Sequence, residues 1–319
     1  MPKLKDVLVL FNFDEDMKKR LVAINPEADY VFTKPADVTC EQIEKAEIIL
    51  GSLDPEQVEG LENLKWLQLW SAGSDAFHRN GKFPKGAILT NGSGGYGLTI
   101  SEHIMGVLLM LMRKFDRSYK NQLECKWEGV GAITSVYNSR ILVVGLGNIG
   151  CEFGIRAKAF GAHITGIRKS ERPKPDFADE VYTADKLDEL LPLADVVVLA
   201  VPDTGETQKL MSKERIAKLK KGSILVNVGR GSAVDTNALV EALEKGDIYG
   251  AALDVTDPEP LPADHALWKT PNVIVTPHIS GGHKLPETYR RLCEIAIANY
   301  EAFINDKPLK NIVDFTKGY

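Results

Sequence analysis

The sequence has little of what marks secreted, membrane-embedded or nucleic-acid-binding proteins. Its 4 cysteines in 319 residues, Cys40, Cys125, Cys151 and Cys293, lie far apart without a CxxC pair, which excludes a disulfide framework or a zinc finger. The most apolar helical run, at 104–112, is much shorter than the ~20 residues of a membrane span. The net charge of -5 gives no general positive field for phosphate backbones or anionic lipid. We therefore predict no membrane and no nucleic-acid partner.

The length of the chain indicates how many domains it forms, and its first residues indicate where in the cell it is expected. A chain of 319 residues exceeds the usual size of one hydrophobic core, so we predict two domains. The start MPKLKDVLVLF leads directly into a strand-like stretch, without the charged leader, apolar core and cleavage site of an export signal. We expect a cytoplasmic protein whose thiols stay reduced.

Short β-branched runs alternate with helical patterns along most of the chain, as in parallel α/β folds. The first series has four runs: DVLVLF at 6–11, EIILG at 47–51, WLQLW at 66–70 and AILTN at 87–91. The second series has seven: RILVVG at 140–145, HITGI at 163–167, EVYT at 180–183, DVVVLAV at 195–201, SILVNV at 223–228, IYGAAL at 248–253 and NVIVT at 272–276. We predict an α/β fold with two parallel-sheet units, the second of which is doubly wound.

Two helical segments give the expected domain boundaries. Residues 101–123 are apolar on all sides at first and then amphipathic and charged, which is typical of a helix that is buried before it emerges. A second helix begins at Pro286, since proline is tolerated in a first turn. Because little chain follows, we expect it to return to the first domain. The prediction is a discontinuous substrate domain, 1–102 with 286–319, and a dinucleotide-binding domain, 103–285.

The segment ILVVGLGNIG places Gly145, Gly147 and Gly150 after an apolar strand and before a helical stretch. A GxGxxG pattern alone is weak, but in this context it indicates a dinucleotide-binding turn. The first glycine permits the tight turn, the second lets the backbone approach a pyrophosphate, and the third allows close helix packing. Free N–H groups at the start of the helix then face the anion. An ordinary strand-to-helix turn is the alternative.

The end of the next strand indicates which nicotinamide cofactor is preferred. An acidic residue there would accept hydrogen bonds from the adenosine ribose, but HITGI is followed by Arg168, Lys169 and Ser170. Two cations and a hydroxyl suit a 2′-phosphate better. We predict NADP(H), with NAD(H) as the alternative if these residues are only a solvated strand end.

Three segments follow the glycine loop in a fixed order: VNVGRGSAVDTNAL at 226–239, ALDVTDPEPLP at 252–262 and TPHISG at 276–281. With LWSAGSD at 69–75 and SEH at 101–103, they resemble the signature segments of the D-isomer-specific 2-hydroxyacid dehydrogenase family along nearly the whole chain. The basic strand end further resembles the glyoxylate/hydroxypyruvate reductase branch. The resemblance implies two Rossmann-like domains, a doubly wound parallel-sheet cofactor domain and a smaller flavodoxin-like substrate domain, with the active site in the cleft. It also implies NADPH-dependent reduction of a small 2-keto acid to the D-2-hydroxy acid.

Such a reduction needs a carboxylate anchor, a proton donor and a hydride donor. Arg230, flanked by two glycines after SILVNV, would grip carboxylate and carbonyl oxygens by paired hydrogen bonds. His278 follows NVIVT, at the edge where open α/β sheets bind ligands, and would protonate the carbonyl oxygen as hydride arrives from the nicotinamide. Glu259 in the DPEP loop would accept a hydrogen bond from the other ring nitrogen and favour the imidazolium. Taken singly, such residues are more often structural or solvated.

The resemblance implies further site residues. The backbone of Ala72 and Gly73, next to Ser71, would bind the substrate carboxylate with Arg230 and His278. Asp254 would hold the nicotinamide carboxamide, and Ser71 has the alternative role of an ordinary turn residue. The cofactor would contact the glycine loop and the loops after later strands: Gly145, Leu146, Gly147, Asn148, Ile149, Gly150, Arg168, Lys169, Ser170, Val201, Pro202, Thr207, Val228, Gly229, Arg230, Asp254, His278 and Gly281.

No metal is expected, because the remaining histidines have no ligand spacing such as HExxH and are interpreted as structural. They are His78, His103, His163, His265 and His283. The second half of the 101–127 stretch has the pattern of a protruding arm, and by family resemblance we expect a homodimer.

Other functions stay open beside the reductase. Formate dehydrogenases on this scaffold carry glutamine where Glu259 stands, which argues against that activity. An NAD-dependent phosphoglycerate dehydrogenase without a regulatory tail and a corepressor-like, dinucleotide-sensing binding protein remain alternatives, because an intact catalytic set does not prove turnover. The side chain of the natural substrate also stays open, since glyoxylate, hydroxypyruvate and pyruvate share the part that Arg230 and His278 contact.

Overall fold

The structure, a computed structural model, describes residues 5–282 and 285–316. The chain divides into two compact units, Met1–Tyr96 with His283–Tyr319 and Gly97–Gly282. The first unit is thus made from two stretches of chain and the second from one. Among the described residues, no helix is long and apolar enough to cross a membrane.

The first unit is built on a five-stranded parallel sheet. Its strands are β1 Asp6–Val9, β2 Asp29–Phe32, β3 Ile48–Leu50, β4 Trp66–Gln68 and β5 Ile88–Thr90. Its helices are α1 Glu15–Ile24, α2 Cys40–Lys45, α3 Pro55–Val58, α4 Asp75–Asn80 and α11 Pro286–Ile304. The strand order β2-β1-β3-β4-β5 is the flavodoxin-like arrangement predicted from the sequence.

Alternate side chains of these strands enter two different cores. Val7 and Val9 of β1 pack in one cluster with α11, whose Leu292 is buried there. Leu8 and Leu10 point into the opposite cluster, with α2 and α3. Both faces of the sheet are therefore covered, which explains why its strands read as unbroken apolar runs rather than as alternating patterns.

Strand β2 was not predicted from the sequence. It lies at the edge of the sheet and pairs with β1 alone. Asp29 and Val31 are exposed, whereas Tyr30 and Phe32 pack against the core. A short, half-exposed edge strand has too few apolar residues for its pattern to be distinguished from a loop.

The second unit is built on a seven-stranded parallel sheet. Its strands are β6 Arg140–Val144, β7 His163–Arg168, β8 Glu180–Thr183, β9 Val196–Leu199, β10 Ile224–Asn227, β11 Gly250–Leu253 and β12 Val273–Val275. Its α-helices are α5 Gly97–Arg113, α6 Phe115–Leu123, α7 Asn148–Ala159, α8 Leu187–Leu190, α9 Lys213–Ile216 and α10 Thr236–Lys245, with 3₁₀ turns at Ala184–Lys186, Leu191–Leu193, Gly231–Ala233 and Ala266–Trp268. The order β12-β11-β10-β9-β6-β7-β8 reverses direction beside β6. The predicted doubly wound sheet is confirmed.

The single helix predicted over 101–123 is wrong, because two helices meet at Lys114. This residue adopts the left-handed conformation, with φ of 53°, and its ammonium donates to the carbonyl oxygen of Val130 (3.3 Å). No proline or glycine lies at the break, so the sequence carries no local signal for it. The structural feature found there is the contact between Lys114 and Val130, 16 residues later in the chain. The predicted change in character is present: α5 has nine buried residues and α6 has none.

Candidate active site

The predicted site residues of the second unit lie at or after the carboxyl ends of six strands: β6, β7, β9, β10, β11 and β12. Because all these strands are parallel, the loops after their carboxyl ends lie at one edge of the sheet, beside the β6 reversal where such folds bind ligands. Residues from all six of these loops form contacts at this edge.

Each glycine of the loop after β6 has a distinct environment. Gly145 has φ of 104°, and a Cβ there would lie 2.4 Å from the carbonyl oxygen of Ala200. A Cβ on Gly150 would lie 2.1 Å from the oxygen of Gly145, so α7 packs closely on the loop. Nothing lies within 4 Å of the Cβ position of Gly147, where α7 begins without a side-chain cap. The open space and the uncapped helix start fit the pyrophosphate of a dinucleotide.

The basic residues at the end of β7 already have partners within the chain. The Arg168 guanidinium donates to the carbonyl oxygens of Arg172 and Pro173. Lys169 forms an ion pair with Glu206 (2.7 Å) on the loop after β9, and both side chains are exposed. Ser170 is also exposed. The ion pair joins the loops after β7 and β9, and Glu206 was not among the residues predicted to form the site.

The loop after β9 is held in shape by the Thr207 hydroxyl, which donates to the carbonyl oxygen of Pro202 (2.6 Å) and accepts from the N–H of Thr204 (2.9 Å). A Cβ on Gly229 would lie 2.6 Å from the oxygen of Val201. Glycine at 229 therefore lets the loops after β9 and β10 approach closely.

Arg230 follows β10 in a turn that is fixed on both sides. Asn227 accepts from the N–H of Gly229 (3.1 Å) and donates to the Arg230 carbonyl oxygen (2.8 Å). The Arg230 guanidinium donates to the Gly229 oxygen (2.8 Å). A Cβ on Gly231 would lie 1.9 Å from the Thr256 oxygen, so the Arg230 turn is packed against the loop that carries Glu259.

Glu259 and His278 are in direct contact. Nδ1 of His278 lies 2.9 Å from Oε2 of Glu259, and the other carboxylate oxygen accepts from the N–H of Thr256 (3.0 Å). Both side chains are exposed. His278 has φ of 52°, a left-handed conformation that costs a non-glycine residue about 1–3 kcal/mol. The surrounding contacts must therefore hold the histidine backbone in place.

Those contacts come from Asp254, which is 3% exposed at the end of β11. Its carbonyl oxygen accepts from the N–H of His278 (2.8 Å). Its carboxylate accepts from the Thr276 hydroxyl (2.6 Å) and from the N–H groups of Ile279 and Ser280 (3.0 Å each). Burial alone would raise the pKa of Asp254, but the hydrogen bonds from Ser280, Thr276 and Ile279 outweigh it and hold the pKa below its ordinary value.

The predicted substrate turn at 71–75 lies in the first unit, between β4 and α4. The Ser71 hydroxyl donates to the Gly73 oxygen (2.8 Å), and its carbonyl oxygen accepts from the N–H of Gly92 (2.8 Å). A Cβ on Gly92 would lie 2.1 Å from the Trp70 oxygen. The turn is therefore held by the segment after β5.

Two polar residues near His278 were not assigned a role from the sequence. Thr276 contacts both Asp254 and, at 3.2 Å, Nε2 of His103 on α5. Thr276 could have been selected from the sequence, because its hydroxyl comes directly after strand β12. Nothing in the sequence indicates its contact with His103. His283 lies outside the described residues. Within 5–282 and 285–316, no group of three or more His, Cys, Asp or Glu side chains could hold a metal ion.

Comparison with known proteins gives consistent matches. The family model described as "D-isomer specific 2-hydroxyacid dehydrogenase, NAD binding domain" matches residues 105–280. The chain is 33% identical to a glyoxylate/hydroxypyruvate reductase B of Pectobacterium atrosepticum, over 84% of this chain and 86% of the relative. The structure resembles a D-isomer specific 2-hydroxyacid dehydrogenase family protein of Aeromonas salmonicida, with a TM-score of 0.85, 31% identity and coverage of 98% of this chain and 100% of that one.

A further match is a D-isomer specific 2-hydroxyacid dehydrogenase of Xanthobacter autotrophicus, solved in complex with NADPH and MES. Its TM-score is 0.81 and its identity 26%, with coverage of 99% of this chain and 100% of that one. The chain therefore belongs to the D-isomer specific 2-hydroxyacid dehydrogenase family of NAD(P)-dependent oxidoreductases.

Proposed function

We propose that this protein reduces a small 2-keto acid, such as glyoxylate or hydroxypyruvate, to the D-2-hydroxy acid with NADPH. The observation that carries the proposal is the 2.9 Å contact between Nδ1 of His278 and Glu259, on a loop packed against the Arg230 turn. A proton donor, its carboxylate partner and an anion-binding arginine are thus on adjoining loops of one sheet edge. The similarity to a glyoxylate/hydroxypyruvate reductase supports the substrate class.

His278 is the proposed proton donor. Because Glu259 engages Nδ1, Nε2 is the nitrogen that would give its proton to the carbonyl oxygen of the substrate. The carboxylate keeps the ring in one orientation and favours the imidazolium by its negative charge. Glu259 is therefore needed for the orientation of the histidine as well as for its charge.

Arg230 is the proposed anchor for the substrate carboxylate and carbonyl oxygens, because a guanidinium binds such pairs of oxygens through two parallel hydrogen bonds. The Asn227 contacts to the neighbouring backbone fix the turn from which it projects. The N–H groups of Ala72 and Gly73 are proposed to bind the same carboxylate, and Ser71 fixes their turn.

The cofactor, when bound, supplies the hydride for the keto carbon. The glycine loop with Leu146, Asn148 and Ile149 would hold its pyrophosphate, since the start of α7 is uncapped and the space beside Gly147 is open. The further residues proposed to contact it are Val201, Pro202, Thr207, Val228, Gly229, Asp254 and Gly281. Arg168, Lys169 and Ser170 would bind the 2′-phosphate, and the NADPH complex of the Xanthobacter relative supports this preference.

The first experiment is the initial rate of NADPH and, separately, NADH oxidation with glyoxylate, hydroxypyruvate, pyruvate and phenylpyruvate at neutral pH. Turnover that favours NADPH supports the proposal, and the best substrate indicates the size of the pocket. Cofactor binding without turnover of any acid would contradict it and favour a binding protein on the same fold.

The assignment of the 2′-phosphate site has its own test. Replacing Arg168 with aspartate removes the guanidinium and supplies an acceptor for ribose hydroxyls, so the ratio of NADPH to NADH kcat/KM should fall at least tenfold. Lys221→Asp, the same charge change at an exposed position before β10, should leave the ratio unchanged. An unchanged ratio in Arg168→Asp would remove Arg168 from the site.

We also propose a homodimer formed through α6. Phe115, Tyr119 and Leu123 recur every fourth residue on this helix and are exposed, as is Trp127 after it. An antiparallel pair of such helices from two copies would bury this stripe and place Asp116 of one copy near Lys120 of the other, a self-complementary arrangement. Leu123→Glu should shift the mass in light scattering to that of the monomer, whereas Leu193→Glu, another exposed leucine, should not. A monomeric wild type would exclude the dimer.

A further inference from the structure

A chain of polar contacts connects helix α5 to the loop that carries His278. Nε2 of His103 lies 3.2 Å from the Thr276 hydroxyl, and that hydroxyl lies 2.6 Å from Oδ1 of Asp254. His103 is 4.0 Å from the same carboxylate oxygen, beyond hydrogen-bond distance. The route from His103 to Asp254 therefore passes through Thr276.

The number of protons decides the direction of these hydrogen bonds. An ionised carboxylate only accepts, so the single proton of the Thr276 hydroxyl is donated to Asp254. The hydroxyl oxygen can then only accept from His103, which requires a proton on Nε2 of the imidazole. The low pKa of Asp254, lowered by its several donors despite burial, is consistent with this direction.

Asp254 is the point at which the chain of contacts reaches the active-site loop. Its carboxylate accepts from the N–H groups of Ile279 and Ser280, and its carbonyl oxygen from the N–H of His278. The left-handed backbone of His278 lies between these contacts. Any rotation of the Asp254 side chain would loosen both N–H bonds on the far side of the histidine.

We propose that His103 is a positioning residue for the reduction: it donates to Thr276, which orients Asp254, which holds the 278–280 backbone in the conformation that His278 needs. The inference rests on the proposed role of His278. It gives a role to the SEH segment, whose histidine was predicted from the sequence to be structural.

Helix α5 is a suitable anchor for such a relay. The residue three positions before the histidine, Ile100, and the residues after it, Ile104 and Met105, are buried, so the backbone of His103 is fixed by the core. Its side chain is 19% exposed. The relay thus connects the exposed loop of His278 to a helix that is packed in the core of the same unit.

The test uses two replacements of His103. Leucine removes the donor, and glutamine keeps an N–H group at about the distance of Nε2. We expect His103→Leu to lower kcat for keto-acid reduction about 10-fold to 100-fold, because small misplacements of a catalytic group have effects of this size. In His103→Gln, kcat and the Kd of NADPH should both stay within about threefold of wild type. Ser101→Ala, which removes a buried hydroxyl that donates to the Leu98 carbonyl of the same helix, is the control.

A double-mutant cycle separates this relay from a general loss of packing. If His103 acts through Thr276, His103→Leu should reduce kcat less than about twofold in a Thr276→Val background. Thr276→Ser, which keeps the hydroxyl, should retain most of the activity and tests the relay even if His103→Leu does not fold. The proposal would be overturned if His103→Leu and Thr276→Val lowered kcat independently of each other in the double mutant. It would also be overturned if leucine and glutamine at position 103 lowered kcat equally.

Imidazole NMR gives an outcome that does not depend on turnover. In the protein without substrate, the ring signals of His278 should shift in His103→Leu and return to their wild-type positions in His103→Gln. Absence of keto-acid turnover in the wild type would contradict the proposed function but not this coupling. Unchanged His278 signals in His103→Leu would contradict the coupling itself.

Discussion

Replacing Asp254 with asparagine tests how the catalytic loop is held. Asparagine has the same shape, but one carboxylate oxygen becomes an NH₂ group that cannot accept. One oxygen of Asp254 accepts from Thr276 and Ile279 and the other from Ser280. In either orientation, the new amide therefore faces at least one backbone N–H that has lost its acceptor.

The magnitude follows from the burial of this site. A buried donor left without a partner costs about 1–3 kcal/mol, and a hydrogen bond to a charged group contributes about 1.5–3 kcal/mol. Because Asp254 is 3% exposed, water does not replace the lost acceptor. We expect Asp254→Asn to lower the free energy of unfolding of the second unit by about 2–4 kcal/mol at pH 7.

The effect should also depend on pH. The folded-state pKa of Asp254 is lowered, so its ionisation stabilises the fold at every pH above the unfolded value of about 4. This contribution is lost as the pH falls through the folded-state pKa. The difference between wild type and Asp254→Asn should be constant from pH 7 to about pH 5 and decrease below about pH 4.

Urea unfolding followed by hydrogen exchange and mass spectrometry of peptides from β10 to β12 measures the second unit separately. Asp264→Asn, on an exposed loop of the same unit, should change the free energy by less than about 0.5 kcal/mol. A loss below about 0.5 kcal/mol in Asp254→Asn, or a difference that persists unchanged to pH 3, would refute the reasoning.

Two further predictions concern catalysis and cofactor choice. His278→Ala should lower kcat about 10²-fold to 10⁴-fold and leave the Kd of NADPH nearly unchanged in a fluorescence titration; retained turnover would exclude it as the proton donor. Glu206→Gln removes the ion pair between Glu206 and Lys169 and with it a negative charge beside the proposed 2′-phosphate site. Because an exposed pair contributes about 0–1 kcal/mol, the Kd of NADPH should fall up to about fivefold while that of NADH stays constant. The control is Glu241→Gln, which breaks the exposed pair with Lys213 and should change neither Kd. An equal change of both Kd values in Glu206→Gln would contradict a 2′-phosphate role for Lys169.

The fold could be predicted in large part from the sequence because its strands are buried on both faces. Continuous apolar runs such as ILVV before Gly145 and VVVL at 196–199 have few alternatives to a parallel sheet. The edge strand β2 was not predicted, because Tyr30 and Phe32 are its only two residues that contact the core. A hydrophobic pattern reveals a strand only when its side chains are buried, and few side chains of an edge strand are buried.

The candidate residues could be named from the sequence where local chemistry is unusual, as at Gly145, Arg230, Glu259 and His278. Their roles remain predictions for the experiments above. Glu206 could not be selected in this way, because an exposed glutamate in a loop is ordinary. Its significance comes from the 2.7 Å contact with Lys169, on a loop 37 positions earlier in the chain.

By itself, the sequence determined the parallel α/β architecture, the glycine turn after β6 and the order of the loops that carry polar side chains. These features depend on burial periodicity and on backbone conformations open to few residue types, both of which are local. Only the tertiary structure decided the break at Lys114 and the contact between His103 and Thr276. Those two partners lie 173 positions apart, and such a pairing exists only once the sheet has brought the ends of its strands together.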